Sequence, residues 1–260
     1  MPIMIRFIQF AFTITVILGP CVLSTQADLK DPTLSVYYSF DEEDATVKDG
    51  SPNGNDGTVE GAAKWEKGVI GSAIELAPQV WINMNGPEFQ NGPEDGLTLA
   101  AWVNHTGTQD VQTLLDAIGN GHASGLYHVE IRPGGVRFFH RDETNTTVFE
   151  INPGPVIAAN KWVHFAGTYD SDSGDIKTYI DGKETHSGKG NGKMSAEWGV
   201  AAGIGNHKNG RWYEGLLDEY YLFGRALSEN EINQVKDGGF LDVAPTDKLT
   251  TTWGNIKSRL

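Results

Sequence analysis

Apolar and polar residues alternate over short stretches of the chain from Thr33 onward, and glycines separate most of these stretches. A period of about two residues is typical of β-strands that bury one face. The alternating segments are residues 97–103, 126–132, 136–140, 162–169, 176–180, 200–205 and 212–223. Pro133-Gly134-Gly135 and Asp181-Gly182 follow two of these segments and predict tight hairpin turns. The pattern therefore predicts an all-β domain.

One segment near the end of the chain carries the signals of a helix instead. Ser228 and Glu231 have the spacing of a capping box, in which each side chain binds the backbone amide of the other. Ile232 and Val235 follow as a short apolar stripe, and Gly238-Gly239 can adopt the left-handed conformation that ends a helix. We expect a short helix that covers the domain and carries no site.

The last predicted strand, 212–223, has bulky residues on both of its faces. Strict alternation would place Leu217, Glu219, Tyr221 and Phe223 on one face and Leu216, Asp218, Tyr220 and Leu222 on the other. A strand with bulk on both sides suits the middle of a sandwich better than an exposed edge. We therefore expect this strand to be central.

Residues 1–27 differ from the rest of the chain. Arg6 is the only charge before Asp28, an apolar run follows over residues 7–18, and Thr25-Gln26-Ala27 offers small residues for cleavage. This order predicts a secretory signal peptide cleaved after Ala27, and a mature protein that is secreted, periplasmic or on the cell surface. A membrane anchor is the alternative, but a run of about a dozen residues is short for a bilayer.

Cys21 is the only cysteine of the chain. It follows Leu18-Gly19-Pro20, which resembles a bacterial lipobox, although the proline departs from that pattern and makes a lipoprotein the less favoured reading. A single cysteine excludes a disulfide framework and a multi-cysteine metal cluster. Cleavage after Ala27 would leave the mature protein without cysteine.

Charge and length narrow the classes of function. The chain has 260 residues and a formal net charge of −14, from 20 Lys and Arg against 34 Asp and Glu. This balance argues against nucleic acid and anionic membranes as partners, and allows cations and neutral substrates. The chain shows no linker and no internal repeat between residues 33 and 240. We predict one domain over 28–240, followed by a tail over 241–260.

Three blocks of sequence resemble a known family. They are Tyr38-Ser39-Phe40-Asp41 with the turn 49–57, residues 162–170 with 179–183, and residues 214–223 with 225–232. In order and spacing they resemble the LamG-like jelly-roll domains of the concanavalin A-like lectin/glucanase superfamily, over about residues 34–240. The resemblance implies a two-sheet antiparallel jelly-roll sandwich with one short C-terminal helix, in which the first and last strands are adjacent. Such folds host lectins, adhesion modules, enzymes and spacers, so the resemblance alone does not fix the function.

The same resemblance implies a structural calcium ion near the first strand. Asp41 and Asp218 are the predicted ligands, because pairing of the first and last strands would bring them together. Asp49 and Asn53, in the glycine-rich turn after the first strand, are further candidates. Calcium takes six to eight oxygen ligands, which carboxylates and backbone carbonyls of such a turn supply. In the alternative reading, these Asp and Asn residues only form turns through their own backbone.

Carbohydrate binding is the second predicted chemistry. Sugars are held by aromatic faces together with polar groups that bind hydroxyls, and glycines mark the segment after residue 205 as a loop. The predicted ligand-binding residues in this loop are Asn206, His207, Arg211, Trp212 and Tyr213. The alternative is that the aromatic residues belong to the core.

The predicted hairpin over residues 126–140 and Trp81 are further candidates for this surface. Tyr127, His128, Glu130, Arg137 and His140 lie on the hairpin. Alternation places His128 and Glu130 on one face of their strand and Tyr127 on the other.

No catalytic motif is present in the sequence. The Glu-x-Asp-x-x-Glu motif of laminarinase relatives, a Gly-x-Ser-x-Gly elbow and a His-Glu-x-x-His zinc motif are all absent. We therefore expect an exported, non-enzymatic binding module for carbohydrate or for a matrix or surface protein. A structural or adhesion scaffold without a sugar site, and a glycan-active enzyme with an unrecognised site, are the alternatives.

Overall fold

The computed structural model describes residues 29–85, 88–107, 109–117, 127–142, 144–194, 202–207 and 210–239. The predicted signal peptide with Cys21 and the predicted tail 241–260 lie outside the described residues, so both stay predictions. No helix within the described ranges is long and apolar enough to span a bilayer.

The described strands form two antiparallel sheets, as predicted. In spatial order, sheet A consists of β14 (Lys183–Lys189), β13 (Asp175–Ile180), β12 (Val163–Asp170), β7 (Gly96–His105), β16 (Gly215–Phe223), β5 (Ser72–Leu76) and β4 (Lys64–Lys67). β1 (Leu34–Tyr38) also pairs with β16, so the first and last strands are adjacent, which confirms the expectation from the family resemblance.

Sheet B lies on the other side of the core. In spatial order it consists of β11 (Thr147–Ile151), β10 (Arg137–Arg141), β9 (Tyr127–Ile131), β8 (Gln112–Ala117), β15 (Gly203–Ile204), β6 (Trp81–Asn83), β3 (Gly57–Glu60) and β2 (Thr46–Val47). The hairpin of β9 and β10 is the one that Pro133-Gly134-Gly135 predicts.

One apolar core fills the space between the two sheets. It contains Leu99 and Phe165 from sheet A together with Val129 and Phe138 from sheet B, all of them fully buried. A Cβ atom on Gly167 of β12 would lie 3.1 Å from the Phe138 ring. Glycine at this position therefore gives the phenylalanine of the opposite sheet room to approach the backbone.

β16 is buried on both faces, as the sequence predicts. A β-bulge at Glu219, with a φ of 51°, breaks the strict alternation. Because of this extra residue, Leu217, Tyr220 and Leu222 all belong to the core between the sheets, although alternation alone would separate Leu217 from the other two. Tyr221 faces the opposite side of sheet A.

Helix α1 (Glu229–Lys236) covers that opposite side of sheet A. Its predicted capping box is present, with Ser228 as the N-cap and Glu231 as the reciprocal partner. Ile232 and Val235 are buried with Tyr221 in a second apolar cluster. The helix therefore closes the sandwich on one side, as the sequence predicts.

The last strand begins later than predicted, at Gly215 and not at Trp212. The backbone before it is bonded to sheet B instead, because Thr113 donates to Arg211 and Tyr213 donates to Gly205. The chain then crosses to sheet A at Gly215, where a Cβ atom would lie 2.3 Å from the Asn104 carbonyl oxygen. This crossover holds the predicted sugar-binding loop against sheet B.

Candidate functional site

A cluster of charged side chains lies on the outer face of sheet B, away from the core. Val129 of β9 points into the core, so alternation places its neighbours His128 and Glu130 on the outer face, as the sequence predicts. His128 has a directly paired neighbour on each side in the sheet. Asp116 of β8 lies on one side, and Phe139 of β10 lies on the other. The three strands thus bring these side chains together.

His128 lies between two carboxylates. Its Nδ1 atom is 2.8 Å from Asp116 Oδ1, and its Nε2 atom is 2.7 Å from Glu130 Oε1. The first contact is a hydrogen bond, and the second is an ion pair without hydrogen-bond alignment. Burial would lower the pKa of His128, but the two carboxylates outweigh it and raise the pKa. The two carboxylates therefore favour the protonated form of His128.

Glu130 is the centre of the cluster and is completely buried. Its carboxylate accepts hydrogen bonds from Nε and Nη2 of Arg132 and from Nη1 of Arg211. Burial would raise the pKa of Glu130, but contacts with His128 and Arg132 lower it well below its usual range. Glu130 thus stays ionised and orients both guanidinium groups.

His207 approaches the same cluster from the loop after β15. Its Nε2 atom is 4.0 Å from Asp116 Oδ2, and its ring is nearly perpendicular to the His128 ring at 5.1 Å between centroids. Burial lowers the pKa of His207. The His207 ring therefore lies beside the buried Asp116 carboxylate and the His128 ring.

Further arginines and aromatic rings extend this outer face. The Arg137 guanidinium lies 3.9 Å from the centre of the Phe139 ring and pairs with Glu150 at 2.7 Å. On the other side of the cluster, the half-buried Trp81 packs over Gly203, whose missing side chain leaves space for the indole. Gly203 pairs with Asp116, so Trp81 adjoins the charged cluster.

The predicted loop residues therefore divide into two groups. His207 and Arg211 belong to the cluster, and the half-buried residues Asn206 and Trp212 lie beside them in the chain. Tyr213 is fully buried within the core, where its hydroxyl donates to the Leu216 carbonyl. Its ring thus packs in the core, as the alternative reading of the aromatic residues had it.

Hairpin residues divide in a similar way, and one cluster member was missed. The rings of Tyr127 and His140 lie 4.4 Å apart between centroids, and His140 also contacts the core residue Phe149. Asp116 was not predicted because β8 (residues 112–117) was not recognised as a strand. Its apolar run Leu114-Leu115 was the available signal, but only the register with β9 places Asp116 beside His128.

A second pair of carboxylates, Asp41 and Asp218, lies at the turn between β4 and β5. Asp218 Oδ2 accepts from the Val69 and Ile70 amides at 2.7 and 3.0 Å, and Asp41 Oδ1 accepts from the Ser72 amide at 2.8 Å. The other oxygen, Asp218 Oδ1, is buried without a hydrogen-bond partner.

The electrostatics of this pair fit a hard cation. Burial, together with the charge of Asp41, raises the pKa of Asp218 to about 6. The neighbouring Glu219 is also buried, but the Tyr37 and Tyr221 hydroxyls donate to it. Asp218 thus has an oxygen that lacks a donor, and calcium binds through carboxylate oxygens of this kind. The role of Asp41 and Asp218 as calcium ligands stays a prediction.

Asp49 and Asn53 make the contacts of turn-forming residues. Asp49 accepts from the amides of Tyr37, Ser51 and Asn55, and the Asn53 side-chain amide donates to the carbonyl of Leu34. These hydrogen bonds fix the turn against β1. The observed contacts of Asp49 and Asn53 are those of residues that form turns. Their role as calcium ligands stays a prediction.

Solved structures of several binding domains have the same fold at low sequence identity. Domain 4 of AbnA, a GH43 extracellular arabinanase from Geobacillus stearothermophilus in complex with arabinotriose, is 20% identical, with a TM-score of 0.62. The alignment covers 78% of this chain and 98% of that domain.

Two toxin domains are similar over about half of their own length. The binding domain of Paraclostridial Mosquitocidal Protein 1 is 17% identical, with a TM-score of 0.62 over 82% of this chain and 54% of that one. The ligand-binding domain of botulinum neurotoxin serotype D, in complex with N-acetylneuraminic acid, is 15% identical, with a TM-score of 0.59 over 80% and 52%. At these identities the likeness shows the fold alone.

No curated protein matches the sequence. The Laminin_G_3 family model, described as concanavalin A-like lectin/glucanases superfamily, matches residues 81–233. This match covers more than half of the chain and includes the whole charged cluster on sheet B. The chain therefore belongs to the Laminin_G_3 family of the concanavalin A-like lectin/glucanase superfamily.

Proposed function

We propose that this protein is an exported, non-catalytic module that binds oligosaccharides on the outer face of sheet B. The observation that carries the proposal is the buried carboxylate of Glu130, which orients Arg132 and Arg211 at the surface. Their side chains remain 28% and 34% exposed, respectively. A guanidinium has five N–H donors, so donors remain for a ligand after the contacts with Glu130.

Aromatic residues beside the cluster support the same proposal. Trp81 and Trp212 are both half-buried, so part of each indole faces solvent. Indole faces stack on the apolar faces of sugar rings, while fixed arginines bind the hydroxyl or carboxylate groups. Fixed side chains lose little conformational entropy when a ligand binds, which favours affinity.

The local charge suggests which glycans to test first. The protein is acidic overall, but four arginines are grouped on this face, namely Arg132, Arg137, Arg141 and Arg211. Glu130 pairs with Arg132 and Arg211, and Glu150 pairs with Arg137. Glycans that carry a carboxylate are therefore the favoured ligands, as bidentate arginine contacts suit that group. Arabinotriose and N-acetylneuraminic acid, which two of the similar domains bind, belong in the same test.

A glycan array with neutral and acidic oligosaccharides tests this function. Wild-type protein should bind a restricted set of oligosaccharides, and Arg211→Ala and Trp212→Ala should each weaken binding at least about tenfold. Lys189→Ala, on the far edge of sheet A, is the matched control and should bind like the wild type. Circular dichroism checks folding. Absence of any bound glycan, or full binding by Arg211→Ala, contradicts the proposal and favours the scaffold alternative.

Export and calcium complete the proposed function. The pattern of residues 1–27 supports export, and one similar domain comes from an extracellular enzyme. We propose that Asp41 and Asp218 hold a structural calcium ion, whose charge would offset that of the two carboxylates. In this role, calcium would stabilise the turn between β4 and β5 at some distance from the sugar site.

A further inference from the structure

We propose that Asp116, His128 and His207 form a binding site for a transition metal ion such as Zn²⁺. One donor atom from each of the three side chains lies within 4.8 Å of the other two, and all three residues are buried. The site is distinct from the Asp41–Asp218 pair, and it does not depend on carbohydrate binding.

The donor atoms already surround one small volume. Asp116 lies between the two imidazoles, with Oδ1 2.8 Å from His128 Nδ1 and Oδ2 4.0 Å from His207 Nε2. Ligand atoms around tetrahedral zinc are about 3.3 Å apart, since each lies 2.0–2.1 Å from the metal. One of the two observed distances is shorter than this spacing and the other is longer. Shifts of about 1 Å in the side-chain positions would therefore bring the donor atoms to the spacing of a zinc site.

The second nitrogen of His128 lies close to a carboxylate. Metal-binding histidines usually direct their other ring nitrogen to a carboxylate, which fixes the ring and makes it a stronger ligand. His128 Nε2 lies 2.7 Å from Glu130 Oε1, while Nδ1 faces Asp116. Two arginines in turn hold Glu130 in place. A carboxylate thus lies beside the ring nitrogen of His128 that faces away from Asp116.

Strand pairing positions two of the ligands, and a backbone hydrogen bond lies near the third. Asp116 and His128 are directly paired across β8 and β9. His207 follows Gly205, whose carbonyl accepts from the Tyr213 amide, and this bond closes the loop that carries the histidine. Ligands fixed in this way give a metal site definite geometry without reordering of the chain.

The donor set selects the class of metal. Two imidazoles and one carboxylate suit zinc, cobalt, nickel or copper, whereas calcium and magnesium prefer oxygen ligands only. Three protein ligands leave a further coordination position for water or for an oxygen of a bound molecule.

Zinc binding by isothermal titration calorimetry, together with metal analysis after dialysis, tests this site. The wild-type protein should bind one zinc ion per chain. His128→Gln and His207→Gln should each weaken zinc binding at least about 100-fold, since each removes one of three ligands. Glu130→Gln keeps the ligands but loses the supporting charge, and should weaken binding about 10- to 100-fold.

Two controls make the result specific. His186→Gln alters an exposed histidine on β14 and should bind zinc like the wild type. Asp218→Asn should also retain zinc, because Asp218 belongs to the proposed calcium site. Thermal melting without metal identifies variants that fail to fold, and His207→Gln decides the question if His128→Gln does not fold. The proposal is overturned if the wild type takes up no zinc, cobalt or nickel, or if folded His207→Gln binds zinc unchanged.

Discussion

At the scale of single residues, the protein contains two consecutive buried acids with different surroundings. The pKa of Glu219 is raised to about 7 by burial, yet the Tyr37 and Tyr221 hydroxyls donate to its carboxylate. Asp218 accepts two backbone amides through one oxygen only, and its other oxygen has no donor. An ionised Asp218 without a cation is therefore costly, because a buried charge needs a partner. Calcium at Asp41 and Asp218 would provide that partner.

The variant Asp218→Asn tests the calcium proposal at this residue. The wild type should gain about 2.7 kcal/mol of stability when calcium is present at 100 times its dissociation constant. Asp218→Asn removes the charge but keeps an oxygen acceptor, so it should fold without calcium and gain much less from it. Differential scanning calorimetry with calcium or with a chelator measures both effects. The exposed variant Asp172→Asn should respond like the wild type, and an equal calcium response in Asp218→Asn would count against the site.

At the scale of elements, helix α1 is held to the sheet by a small network of charges. Arg225 donates to Asp31 and to Glu231, and Glu231 also accepts from the amide and hydroxyl of Ser228. Burial would raise the pKa of Glu231, but the contacts with Arg225 and Ser228 lower it. Burial would also raise the pKa of Asp31, but its hydrogen bonds with Thr33 and Arg225 lower it. The helix therefore depends on ionised carboxylates.

Glu231→Gln should destabilise the protein by about 1–2 kcal/mol at neutral pH, because it removes a hydrogen-bonded charge pair. A carboxylate with a lowered pKa contributes stability above its unfolded pKa, and the contribution is lost as the pH falls through the folded value. The difference between wild type and variant should therefore shrink below about pH 4.5. Urea unfolding at about pH 7 and about pH 3.5 measures this, with the exposed variant Glu229→Gln as the control. A difference that stays constant with pH would exclude the charge pair as its source.

At the scale of the whole molecule, the sequence predicts the elements that local signals determine, but not the contacts between distant segments. Hairpin glycines, alternation in β7 and β12, and the capping box at Ser228 all act between neighbours in the chain, and these elements were predicted correctly. The charged cluster depends instead on the register of three strands, which no local pattern contains. His128 and Glu130 could be placed on one face, but Asp116 and Arg211 join them only in the folded protein. The bulge at Glu219 escaped prediction for the same reason, because pairing with β7 determines it.

The shared core predicts that the two sheets unfold together. Phe138 of sheet B packs on Gly167 of sheet A, so a cavity at Phe138 affects both sheets at once. Phe138→Ala should lower the free energy of unfolding by about 3–5 kcal/mol, the range for a buried phenylalanine. Both tryptophan fluorescence and circular dichroism should still report one coincident transition, at a lower urea concentration. Val156→Ala, at a side chain that is 67% exposed, should change stability by less than about 0.5 kcal/mol. Separate transitions for the two probes would mean that the sheets fold independently and that the core is not a single cooperative unit.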